Sequence, residues 1–143
     1  MMKNLIKCLL CCIFMFNTTP GNAQEPAFNK TVKDSDMLVR ISEIEIIPDY
    51  LEAYNAILKE EASASVKIES GVIAIFPMSI KEQPNQIRIV EIYANKQAYL
   101  AHLETPHFKH YKTATLKMVK SLKLMDMDAL DHKTMRSIFS KMK

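Results

Sequence analysis

The sequence has no tryptophan, only two glycines and only three cysteines among 143 residues. The cysteines are Cys8, Cys11 and Cys12, so the rest of the chain is free of thiols. That excludes a disulfide framework, a thiolate nucleophile and a Cys-ligated zinc or iron–sulfur centre from the folded part. With Gly21 and Gly71 alone, neither the dinucleotide fingerprint nor the phosphate-cradling loop can be written anywhere. Most nucleotide-dependent oxidoreductases, kinases and transferases are excluded with them. The formal net charge of +3 leaves no general electrostatic footprint for nucleic acid. Long apolar runs are missing too, since Cys8 to Phe16 falls short of the roughly 20 residues that a spanning helix needs.

What is present begins with the pattern of an export signal. Lys3 and Lys7 precede the apolar stretch, and the polar close that follows ends in Gly21 and Ala23, the small residues of a cleavage site. Cleavage is expected before Gln24, giving an exported protein, periplasmic or secreted, with no stable membrane anchor. Cys12 follows Cys11 rather than a small residue, which argues against a lipoprotein. The expected organisation is a signal peptide over 1–23, a polar linker over 24–36, one domain over 37–128 and a tail over 129–143. The tail carries Leu130, Met135, Ile138, Phe139 and Met142 and reads either as a short amphipathic helix docking on a partner or as a frayed end.

Within the domain, Val and Ile alternation predicts a strand over Met37–Ile47. Asp49, with Glu52 three residues on, reads as the cap of an amphipathic helix running to about Val66, ended by Gly71 in a left-handed conformation. Val72–Met78 and Ile87–Ala94 read as strands joined by a long polar connection. Asn95 caps a helix through His102, and Thr105-Pro106 restarts it, with Phe108, Tyr111, Thr115, Leu116 and Val119 on its buried face. Ser121–Met127 is the last strand. The order is the α+β, ferredoxin-like βαββαβ unit. Its strands are apolar on both faces, and two helices cover only one, so the other face calls for a second copy of the chain.

The strongest local string runs from Glu91 through Tyr93, Ala98 and His102 to Thr105-Pro106-His107-Phe108. It resembles the antibiotic biosynthesis monooxygenase family, in particular its small quinol-monooxygenase-like members, over Met37 to Asp128. The resemblance implies a dimeric α+β barrel with a pocket between sheet and helices. It also implies oxidation of a small hydroquinone or polyphenol by molecular oxygen, with no flavin, metal or other cofactor. Haem-degrading relatives use a Trp that this chain lacks, and Tyr93 stands where some relatives have it.

A cofactor-free oxygenase needs a base, because a phenolate gives an electron to oxygen far more readily than a phenol. His102 is the candidate, with Glu91 orienting it or accepting the proton. Tyr54, Tyr93, Tyr99 and Phe108 could sandwich an aromatic ring. The competing reading makes His102 a structural tie to the strand residue Glu91 and the tyrosines core packing. His102, His107 and His110 suggest a metal, but no third ligand falls in register, so none is expected. The lysines from Lys109 to Lys123 read as a solvated face. A non-catalytic exported protein holding a small apolar or aromatic ligand in the same pocket is the alternative function.

Overall fold

Pro48 decides how the first helix starts. In the computed structural model, which describes residues 36–141, strand β1 (Leu38–Ile46) ends one residue before Ile47, which stays extended as a residue preceding proline must. Pro48–Tyr50 then form a single 3₁₀ turn, and α1 runs from Leu51 to Ile68. Asp49 therefore lies inside the turn and its side chain caps nothing, contrary to the capping box expected from sequence. The apolar stripe of α1 is as periodicity requires, with Tyr54, Leu58, Glu61, Ala62 and Ser65 buried. The expected export signal lies outside the described residues, as does the linker apart from Asp36.

After α1, strand β2 (Val72–Ile80) and strand β3 (Gln83–Tyr93) are separated only by Lys81 and Glu82. This hairpin replaces the long connection expected from the polar, proline-containing stretch. Pro77 is tolerated because β2 is an edge strand, and Pro84 sits where the β2–β3 register shifts. Helices α2 (Lys96–Leu103) and α3 (Pro106–Thr115) follow, each with its expected cap. Asn95 accepts from the Ala98 backbone N–H at 2.8 Å and Thr105 from that of Phe108 at 3.3 Å. Strand β4 (Val119–Met127) and helix α4 (His132–Ser140) complete the described chain. Leu116 is exposed rather than on the buried face, because α3 has already ended at Thr115.

The four strands form one antiparallel sheet in the order β2-β3-β1-β4, so the fold is the ferredoxin-like βαββαβ unit. Register sorts the side chains. Ile44 pairs with Ile87 and Ser42 with Ile89, and these residues face the helices, where Tyr54, Leu58 and Tyr93 complete the core. The opposite face carries two apolar rows across all four strands: Phe76–Val90–Ile41–Met125 and Ala74–Ile92–Val39–Met127. Phe76 is 60% exposed there. None of the described helices is long and apolar enough to cross a membrane.

Gly71 is needed for space rather than for a left-handed turn. A Cβ added there would meet the Ala98 Cβ at 2.5 Å, where α2 crosses the start of β2. Gly71→Ala should therefore lower stability by about 1 to 3 kcal/mol through overpacking. Urea unfolding of the single variant and of Gly71→Ala/Ala98→Gly measures this, and the second change should return most of the loss. An equal loss in both would rule out this contact as the cause.

Candidate functional site

Between the helix-facing side of the sheet and helices α1, α2 and α3 lies a cavity of about 500 Å³. Its floor comes from β1 and β3 and its walls from the aromatic side chains of Tyr93, Tyr99, Phe108 and Tyr111. Toward β4 it is lined by Leu122 and Leu124, which are 57% and 50% exposed. The cavity is mostly apolar with a few convergent polar groups, the usual composition of a small-molecule site.

Glu91, Arg40, His102 and Glu61 bring polar groups to it. Glu91 projects from β3, where its Oε1 accepts from Ser42 Oγ at 2.5 Å and its Oε2 accepts from Tyr93 OH at 2.9 Å. Arg40, opposite Glu91 in register, turns to Asp126 on β4 at 2.6 Å and lies over the Tyr99 ring, 4.4 Å from its centroid. His102 is 2% exposed, with its ring 4.6 Å from that of Phe108 and 5.4 Å from that of Tyr93. Behind the wall, Tyr54 and Tyr111 share a hydrogen bond of 2.7 Å between their hydroxyls. Burial pushes the Tyr111 phenol up to about 12 and those of Tyr54 and Tyr93 higher still. At neutral pH all three are protonated and serve as donors or walls, not bases.

His102 is not tied to Glu91, as the structural reading of the sequence has it. Its Nδ1 lies 3.0 Å from Glu69 Oε1, and its Nε2 lies 3.6 Å from Glu61 Oε1, which is too long for a hydrogen bond. His107 Nε2 reaches the same Glu69 oxygen at 2.6 Å. Burial alone would lift the Glu69 carboxyl, but the hydrogen bonds from His102 and His107 outweigh it and hold Glu69 below the usual range. A Glu69 carboxylate can only accept, so the Nδ1 of His102 donates to it, while the Nε2 of His102 faces Glu61. Burial raises the Glu61 carboxyl, against the lowering effect of the Ser65 hydroxyl that donates to it at 2.8 Å and of His102.

Of the residues expected from sequence, His102, Glu91, Tyr93, Tyr99 and Phe108 line one cavity together. Tyr54 is fully buried and reaches that wall only through Tyr111. His110 is exposed and joins no cluster with His102. Sequence reasoning missed Glu61, Glu69, Arg40 and Tyr111. Glu61, an acid in the apolar stripe of α1, and Tyr111, on the same buried helix face as Phe108, had readable signals. Glu69 becomes visible only when the end of α1 meets the junction of α2 and α3.

The sequence profile described as antibiotic biosynthesis monooxygenase matches residues 37–114. A solved structure from Bacteroides thetaiotaomicron, assigned to the antibiotic biosynthesis monooxygenases, is 46% identical with a TM-score of 0.69, over 69% of this chain and 94% of that one. A structure from Lactobacillus acidophilus assigned as a monooxygenase is 29% identical with a TM-score of 0.64, over 67% of this chain and 45% of that one. An antibiotic biosynthesis monooxygenase assignment from Nitrosomonas europaea is 20% identical with a TM-score of 0.62, covering 66% of this chain and 90% of that one, and supports the fold alone. No curated protein matches the chain. Profile and 46% identity together settle the kinship: the chain belongs to the antibiotic biosynthesis monooxygenase family.

Proposed function

We propose that this protein is an exported, homodimeric monooxygenase that oxidises a small hydroquinone or polyphenol with molecular oxygen and without flavin or metal. The observation that carries the reading is the aromatic-walled cavity with His102 at its edge, its Nδ1 proton held by Glu69. A phenolic ring stacks between Tyr99 and Phe108, and His102 Nε2 takes its hydroxyl proton. The phenolate passes one electron to oxygen. The phenoxyl radical and superoxide join through a new carbon–oxygen bond, and with a proton the adduct is a hydroperoxide. Loss of water leaves a quinone carbonyl, so one oxygen atom enters the product, the other leaves as water, and no external reductant is consumed. Glu91, fixed by Ser42 and Tyr93, accepts a hydrogen bond from a second ring hydroxyl and orients the ring.

Oxygen-electrode measurements on the purified chain with a panel of hydroquinones and polyphenols test this. One oxygen should disappear for each quinone formed. A second reading, a binding protein for the same class of ligand, is favoured by the carboxylates beside both His102 nitrogens. It predicts saturable ligand binding and a raised melting temperature with no oxygen uptake.

A further inference from the structure

Glu69, His102 and His107 come from the residue after α1, the last turn of α2 and the first turn of α3. Their Oε1, Nδ1 and Nε2 atoms all lie within 4.8 Å of one another. From this convergence we propose that the three side chains form a binding site for a divalent ion of zinc type, at the point where the three helices meet.

The donor set supports that class of ion. Two imidazoles and one carboxylate suit zinc and its neighbours better than magnesium or calcium, which prefer oxygen alone. Metal–ligand bonds of about 2.0 to 2.1 Å in a tetrahedral site put ligand atoms about 3.3 Å apart. The separations of 3.0 and 2.6 Å to Glu69 must open by about 0.3 and 0.7 Å, and the two histidine nitrogens, within 4.8 Å of each other, must come to the same spacing. In such a site the ion takes the Nδ1 of His102 and the Nε2 of His107, and the proton left on the His102 ring lies on Nε2, toward Glu61, so the loaded form does not use His102 Nε2 as a base.

Glu61 supplies an independent argument. Its Oε1 lies 3.6 Å from the other ring nitrogen of His102, just beyond hydrogen-bond reach, where a small closure would let it accept from that nitrogen, and Ser65 donates to the same oxygen. A carboxylate behind the remote nitrogen of an imidazole is the arrangement that orients metal-binding histidines. The ion pairs recorded for Glu61 and Glu69 among the described residues are all to histidines, so no lysine or arginine already neutralises the pair. Glu69 also follows the C-terminal end of α1, where the helix dipole favours a cation. A second cavity of about 260 Å³ reaches one of the three ligands, His107, whose side chain is 16% exposed.

Glu69 and His107 do not line the main cavity. His102 and Glu61 do line it, so the ion would sit behind the wall of the proposed oxidation site, staple α1, α2 and α3 together and hold that site in a form in which His102 is not the base.

The test is a titration of the untagged, chelator-treated protein with Co²⁺, whose visible d–d absorption reports coordination without reference to turnover. Saturation at one ion per chain, displacement by Zn²⁺ and a melting temperature raised by several degrees with Zn²⁺ are expected. Glu69→Gln and His107→Ala should each weaken Co²⁺ binding at least tenfold, and Glu61→Gln by about 10- to 100-fold. His110→Ala should leave it within about twofold, as expected for a residue outside the ligand set. Absence of a saturable signal up to millimolar Co²⁺, or unchanged affinity in the ligand variants, overturns the proposal. If circular dichroism shows Glu69→Gln unfolded, His107→Ala decides the question, because His107 is partly exposed at a helix start.

Discussion

Replacing His102 by alanine should lower turnover on any quinol the protein oxidises by about 10²-fold or more, the usual contribution of a positioned base. The loss should shrink as pH rises, because a substrate that ionises unaided no longer needs the imidazole. A stability cost accompanies it. His102 is buried against Glu69 and Glu61, and its removal leaves their carboxyl groups short of a partner, at about 1 to 3 kcal/mol. Turnover must therefore be counted per folded molecule, with the melting temperature measured on the same sample. His110→Ala is the control, since His110 is exposed and outside both the lining of the main cavity and the His102 cluster. His107 is unsuitable for that purpose because it shares Glu69 with His102. Equal turnover of the wild type and His102→Ala across pH would remove His102 from the chemistry.

The parts of the fold that were legible in the sequence are those set by local chemistry. Asn95 and Thr105 cap α2 and α3 because each precedes a helical run with a side-chain oxygen placed to accept the backbone N–H three residues on. The β1 strand shows in its alternation. What misled were residues whose effect depends on a neighbouring element. The polar stretch around Lys81 to Gln86 looks like a loop, yet pairing with β1 and β2 draws most of it into a hairpin. Gly71 looks like a helix stop, yet the constraint is Ala98, 27 positions on in sequence but in contact in space.

The same division runs through the site. Strand position Glu91, helix position His102 and the aromatics between them belong to one contiguous string, so their convergence could be anticipated. Their partners could not. Ser42 reaches Glu91 only because β1 pairs with β3 in a particular register, and Glu69 reaches His102 only because α1 ends beside α2 and α3. Alternation and helical period specify which face a residue takes, not which other element covers that face.

Exchange of Val90 for aspartate should split the proposed dimer into monomers. Val90 sits in the row Phe76–Val90–Ile41–Met125, on the face of the sheet away from the helices. The row Ala74–Ile92–Val39–Met127 lies beside it, with Met127 45% exposed and Ile92 already buried within one chain. The next row, Met78–Arg88–Glu43–Lys123, is charged and includes the Arg88–Glu43 pair at 3.5 Å, so it marks the rim rather than the centre. Helices α1, α2 and α3 pack on the other face of the sheet, leaving a second copy of this face as the self-complementary cover that two-fold symmetry supplies. An aspartate at Val90 would place a carboxylate without a partner in each half of that interface. Several kcal/mol of uncompensated burial corresponds to a dissociation constant raised by about 10³-fold or more. Sedimentation velocity at micromolar concentration should give the dimer mass for the wild type and for Val90→Ile, and the monomer mass for Val90→Asp. A wild-type monomer, or a Val90→Asp dimer of unchanged affinity, would show that this face is not where two copies meet.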